Sequence, residues 1–120
     1  MIFKDDRPIY LQITEYLKTR IIKGEYDLGE KLPAVREIAG NLKVNPNTVQ
    51  RSYQILEQEE IIVSQRGIGS FVTEDEEKVK LLRKNIANDL INEFIKDMMK
   101  IGFTKSEIIE IIKNREEQNG

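Results

Sequence analysis

A mainly helical chain carrying one small β-hairpin is the fold class that this sequence predicts, and three observations predict it. Apolar residues recur at helical spacing in five separate stretches. The pattern switches once, at residues 61–72, to short β-prone runs around a Gln-Arg-Gly turn. Pro8, Gly24, Pro33, Pro46 and Gly102 stand at the ends of the helical stretches.

The elements follow in order. Pro8 suits a first helical turn, and Ile9, Ile13, Leu17 and Ile21 then recur every four residues, with Tyr10 and Tyr16 widening the stripe. That helix stops at Gly24, and "GEYDLGEKLP" reads as a loop. After Pro33, Val35, Ile38, Ala39 and Leu42 give a short second helix with one apolar face. Lys43 and Val44 connect it to a third, for which Asn45 is a natural N-cap and Pro46 the first helical residue. Val49, Tyr53 and Leu56, with Ser52 beside them, face inward there, which turns Asn47, Gln50, Arg51 and Gln54 elsewhere.

Ile61–Val63 and the run Ile68, Phe71, Val72 form two strands joined at Gln65-Arg66-Gly67, a hairpin that must lean on the helices. The acidic "TEDEEK" marks a boundary between a domain at residues 7–75 and a helical tail at 76–115. In the tail, Val79, Leu82, Ile86, Leu90, Phe94 and Met98 line one side of a long helix, and Ala87, Ile91 and Ile95 an adjacent side. Thr104 and Glu107 fit a capping box. Ile108, Ile109, Ile111 and Ile112 follow in a short last helix with a charged, frayed end, "NREEQNG".

Composition narrows the function. With 120 residues, 39% hydrophobic and 33% charged, the chain can bury a core and is not globally disordered. It has neither Cys nor His, which removes thiol nucleophiles, imidazole bases, disulfides and nearly every zinc or haem site. An enzyme is therefore not expected, nor is a metal or a cofactor. The lack of a membrane-length apolar run and of a signal-peptide core predicts a cytoplasmic protein with no membrane partner. A net charge of −2 gives no general attraction to nucleic acid, but the distribution does. From Lys31 to Tyr53 there are four cations (Lys31, Arg36, Lys43, Arg51) against one acid, Glu37, while acids gather at Glu57, Glu59, Glu60 and in "EDEE".

Two short helices joined by a tight turn and followed by a hairpin describe a winged helix-turn-helix, with the turn motif at about residues 35–54. A recognition helix enters the major groove N-terminus first, so its opening turns must present donors and acceptors. Asn45, Asn47, Thr48, Gln50 and Arg51 are suited to that work. Arg36 can reach a phosphate from the start of the second helix, and Gly67, beside Arg66 in a basic hairpin tip, lets backbone approach a groove. Singly, each has a plainer reading as a solvated cap, a surface charge or a turn residue. Their combination points to double-stranded DNA.

The stretch "LPAVREIAGNLKVNPNTVQRSYQILEQEEIIVSQRGIGSFV" resembles the DNA-binding domain of the GntR family of bacterial transcription regulators, over roughly residues 7–75. That family's Leu-Pro-Ser-x-Arg-x-Leu-Ala opening, Val-Ser-Arg-x-Thr-Val turn and Gly-x-Gly-x-Phe-Val wing stand here as "LPAVREIA", "VNPNTV" and "GIGSFV". The resemblance implies that Arg36 contacts DNA, that Thr48 is the recognition-helix threonine and that Gly67 enters the minor groove. Ala34 replaces the usual serine and Pro46 the usual arginine, so base reading would pass to Asn45, Asn47, Gln50 and Arg51.

About forty-five residues follow the wing, too few for the large effector domains of many relatives. A short two-helix tail is similar to that of the YtrA subfamily, which implies a homodimer, here through Leu82, Ile86, Leu90, Ile91, Phe94, Ile95, Met98, Ile108 and Ile112. Two apolar stripes on one long helix exceed what one short partner helix can cover, which also favours a two-fold contact over folding back on the winged domain. The expectation is a dimeric repressor on a palindromic operator, controlling its own operon or one for ABC-type transport. The alternative is a protein-interaction module, favoured by net charge and disfavoured by the polar third helix. An unknown small-molecule effector between the tail helices, near Phe94, Met98, Met99 and Phe103, is compatible with either, although packing explains those residues more simply.

Overall fold

Helix α1 (Ile9–Ile22) buries Ile13, Leu17 and Ile21, whose four-residue spacing brings them to one face. The computed structural model describes residue 3 and residues 6–119, with side chains as far as Arg115. Two details of α1 differ from the sequence reading. Pro8 stands before the helix, where its ψ of 139° is extended, and is not part of the first turn. Ile9 lies off the buried stripe and is exposed.

Helices α2 (Val35–Leu42) and α3 (Pro46–Gln58) pack together, and α3 also packs on α1. Between α2 and α3, Lys43 adopts the left-handed conformation (φ 58°), which lets the Val44 N–H reach the Ala39 carbonyl at 3.0 Å and reverses the chain. Asn45 caps α3: its Oδ1 accepts the Asn47 N–H at 2.8 Å, while Pro46 opens the helix with no N–H to satisfy.

The inner face of α3 consists of Val49, Ser52, Tyr53 and Leu56, all buried. Two of these carry hydroxyls, and burying a hydroxyl without a partner is costly. Both have partners: Ser52 Oγ donates to the Tyr10 carbonyl at 2.7 Å and Tyr53 OH donates to the Pro33 carbonyl at 2.6 Å. Those bonds tie α3 to the start of α1 and to the loop before α2.

Strands β1 (Ile62–Gln65) and β2 (Gly69–Val72) pair antiparallel, with Ile62 opposite Val72 and Gln65 opposite Gly69. The turn is Arg66-Gly67-Ile68, one residue later than expected. Gln65 is a paired strand residue, and its carbonyl accepts the Ile68 N–H at 2.9 Å, leaving Ile68 exposed in the turn. Gly67 supplies the positive φ (78°) that this reversal needs. The α1–α2 loop braces the hairpin: the Val72 N–H donates to the Glu30 carbonyl at 2.9 Å, the Leu32 N–H donates to the Ser70 carbonyl at 2.8 Å, and Lys31 bridges Phe71.

Helix α4 (Glu76–Lys100) starts on an Asp75 carboxylate that accepts the Glu77 N–H at 3.1 Å. Its first turns lay Val79 and Leu82 against the core, and Lys78 pairs with Glu60. One compact unit ends at Arg83 and a second begins at Lys84. The second holds the rest of α4 and α5 (Lys105–Asn119), joined through Gly102 (φ 97°). Thr104 and Glu107 cap each other reciprocally, the Thr104 N–H to Glu107 Oε1 at 2.9 Å and the Glu107 N–H to Thr104 Oγ1 at 3.2 Å. The charged end does not fray as expected, because Lys, Arg, Glu and Gln are good helix formers and α5 continues to Asn119; Gly120 lies outside the described residues. Among the described residues no helix is long and apolar enough to cross a membrane.

Burial raises the Tyr53 phenol well above its ordinary value of 10.0, helped by the charges of Tyr26 and Glu37. The neutral folded phenol therefore contributes stability that is complete below pH 10 and declines as the unfolded chain ionises above it. Tyr53→Phe is expected to cost about 1–3 kcal/mol at neutral pH by orphaning the Pro33 carbonyl. Urea unfolding at neutral and strongly alkaline pH should show that deficit shrinking as pH rises past 10.0.

Candidate nucleic-acid interface

With the inner face of α3 fixed, its outer face follows from helical geometry. Asn47, Gln50, Arg51 and Gln54 are exposed at three- and four-residue spacings, and Thr48 is half-buried at the edge of that face. Asn45 is exposed as well, but its Oδ1 is already engaged in the cap. The positive end of the helix lies beside Asn47, where the Asn47 N–H donates to Asn45 Oδ1 at 2.8 Å and the Thr48 N–H to the Asn45 carbonyl at 2.9 Å. Arg36, in the first turn of α2, is exposed, as are Arg66 and Gly67 at the hairpin tip. A Cβ built at Gly67 would meet nothing within 4 Å, so the tip is open to close approach.

Arg7, Lys18, Arg20, Lys78 and Lys80 all pair with glutamates. Among the described residues, Lys31, Arg36, Lys43, Arg51 and Arg66 form no ion pair. These five lie on α2 and α3, in the turn between them, at the wing tip or in the loop that braces the wing; Lys23, Arg83 and the described cations of the second unit are unpaired as well. Unpaired cations beside the positive end of α3 suit an anionic backbone.

Arg51 has a different neighbour. Its guanidinium lies 3.7 Å from the centre of the Tyr10 ring, a cation–π contact that holds it against the start of α1. Tyr10 thus carries two links to α3, through its ring to Arg51 and through its carbonyl to Ser52. The sequence reading placed Tyr10 only in an apolar stripe, Lys31 only in the local charge balance and Gly69 only in the wing motif. Lys31 lines a groove between α3 and the wing together with Gln50, Ser64, Gly69 and Ser70. The second glycine of "GIGSFV" and the lysine preceding "LP" were the signals available in the sequence.

In the second unit the apolar residues are largely uncovered. Leu90, Ile91, Phe94, Ile109 and Ile112 are all exposed, Leu90 by 67%. With Ile95, Ile108 and Lys105 they line an apolar groove between α4 and α5. Among the described residues of this unit Ile108 is the buried one, and Ile86 and Met98 are half-buried. Leu82, by contrast, packs on the core of the first unit. Of the four residues near which an effector was expected, Phe94 lines the groove, and Phe103 lines a more open depression with Ser106 and Ile111.

Comparison with known proteins agrees with this architecture. The gntR family of bacterial regulatory proteins matches residues 9–72. The chain is 41% identical over 111 residues to the uncharacterized HTH-type transcriptional regulator YhcF of Bacillus subtilis (strain 168), covering 92% of each chain. It is 43% identical over 72 residues to the HTH-type transcriptional repressor YtrA of the same organism, covering 60% of this chain and 55% of that one. Among solved structures, a GntR family transcriptional regulator from Listeria monocytogenes superposes with a TM-score of 0.85 at 46% identity, over 93% of this chain and 98% of that chain. These relatives are transcription regulators, not enzymes.

The Tyr10–Arg51 contact is testable on stability alone. A double-mutant cycle of Tyr10→Leu and Arg51→Met in urea unfolding is expected to give a coupling of about 0.5–1 kcal/mol. Additive losses would mean that the two side chains are merely adjacent.

Proposed function

Because the chain belongs to the gntR family of bacterial regulatory proteins, we propose that it is a dimeric transcriptional repressor that reads a palindromic operator. Residues 7–75 form its DNA-binding part and residues 76–115 its dimerisation part. The observation that carries this reading is the outer face of α3, where Asn47, Gln50 and Arg51 stand exposed within a set of unpaired cations. Helix α3 enters the major groove, N-terminus first, and Asn47 and Gln50 read base edges, since amide side chains pair well with adenine. Arg36 holds a phosphate, and Arg51, held on Tyr10, holds another. Thr48 supports the start of the reading face, Asn45 spends its side chain on the cap, and Arg66 and Gly67 enter the adjacent minor groove.

Repression is the role named for the YtrA relative, and it requires only that the bound dimer obstruct a promoter. Control of its own operon, or of one for ABC-type transport, extends the same likeness. The dimer rests on the exposed Leu90, Ile91, Phe94, Ile109 and Ile112, which a second copy would bury across a two-fold axis. Ile86, Ile95, Met98 and Ile108 shape that face from beneath. Leu82, seated on the core of the winged unit, contributes least. A small-molecule effector would have to share the apolar groove with that contact.

A mobility-shift titration against the DNA upstream of its own gene, with random DNA as competitor, tests the function. Preferential binding that weakens steeply with salt is expected, and absence of any preference would contradict operator recognition. Arg36→Ala should weaken binding to every sequence alike, whereas Asn47→Ala should cost about 1–3 kcal/mol on the operator and little on random DNA. Phe94→Glu should convert the dimer to monomer in sedimentation velocity and lower operator affinity. An unchanged sedimentation coefficient would place the dimer contact elsewhere.

A further inference from the structure

We propose that Lys31 is a DNA-phosphate contact, held in place by the absence of a side chain at Gly69. This rests on the reading of α3 and the wing given above. If α3 lies in a major groove and the wing tip in the adjacent minor groove, the sugar–phosphate strand separating those grooves must pass between the two elements. The groove between α3 and the wing faces that strand, and Lys31 is its cation.

The backbone at Lys31 is fixed by its bridge to Phe71 and by the Leu32 N–H bond to the Ser70 carbonyl at 2.8 Å. Its stem then crosses the wing over Gly69. A Cβ built there would lie 2.8 Å from Lys31 Cε, closer than carbon atoms approach, so a side chain at 69 would displace the end of the lysine. Gly69 also has φ 141°, outside the range other residues favour. A lysine stem normally loses much rotamer freedom when its ammonium binds, and a stem already laid along the wing loses less. No carboxylate among the described residues pairs with the ammonium.

The hydroxyls of Ser64 and Ser70, 3.3 Å apart, line the same groove and add donors suited to a phosphate oxygen. Glu57 also lines it and has the wrong sign for that partner. It lies seven residues beyond Gln50, about 10 Å further along the α3 axis, towards the end that leaves the DNA.

The test is fluorescence anisotropy of the full chain on a random-sequence duplex over a salt series, comparing wild type, Lys31→Met and Arg36→Ala. Lys31→Met keeps the apolar stem and should leave the thermal midpoint unchanged. It is expected to lower the slope of log affinity against log salt by about 0.9, so that its loss is about threefold larger at 50 mM than at 200 mM salt. Gly69→Ala should weaken binding when Lys31 is present and have little further effect in Lys31→Met, which separates displacement of the lysine from strain in the wing. A wild-type slope in Lys31→Met, with a lowered slope in Arg36→Ala, would overturn the proposal and leave the DNA reading standing. Salt-independent binding by wild type would overturn both. Equal losses from Gly69→Ala in the two backgrounds would overturn the role of Gly69.

Discussion

The rotation of α3 about its own axis is the constraint on which the rest depends. Val49 and Leu56 set it by burial, and Ser52 and Tyr53 sharpen it, because each has a hydroxyl that must meet one particular carbonyl. Hydrophobic burial alone tolerates some rolling of a short helix. Two hydrogen bonds to separate segments, at Tyr10 and Pro33, do not. Once those four residues point inward, the positions between them are obliged to point outward, and the polar face is aimed with the accuracy of the core.

Charge placement follows a second logic. Exposed ion pairs are worth little to stability, about 0–1 kcal/mol each, so the glutamates beside Arg7, Lys18, Arg20, Lys78 and Lys80 do not hold the fold together. Their effect is to neutralise the cations there. The cations of α2, α3, the wing and its bracing loop are left without such partners, as are Lys23, Arg83 and the described ones of the second unit, and the net charge of −2 conceals the local excess around α3. A long-range field gives no help to DNA binding in a chain with that balance, so affinity must come from short-range placement of a few groups.

Much of this was legible in the sequence. The helices, the Asn45 cap, the Thr104–Glu107 box and the inward set on α3 are all local signals, fixed by periodicity or by side chains reaching three residues along the chain. The wing turn was misplaced by one residue because Gln65 and Ile68 have similar claims to strand and turn, and pairing with the opposite strand decides between them. The bracing of the wing by residues 29–32, the Tyr10–Arg51 stack and the crossing of Lys31 over Gly69 join segments far apart in sequence. No local pattern encodes such contacts. The site was therefore legible as a set of residue types on α3, and illegible where a neighbour from another element decides what a side chain does.

The central claim is that the face fixed by Ser52 and Tyr53 is the face that meets DNA. Amide chemical-shift mapping, with a duplex from upstream of its own gene titrated into the labelled chain, tests it most directly. The account predicts the largest shifts at Arg36, at Asn47 through Arg51 and at Arg66 and Gly67, with the exposed side of α1 and the α5 helix little affected. Shifts concentrated on α5, or spread evenly over the chain, would contradict it.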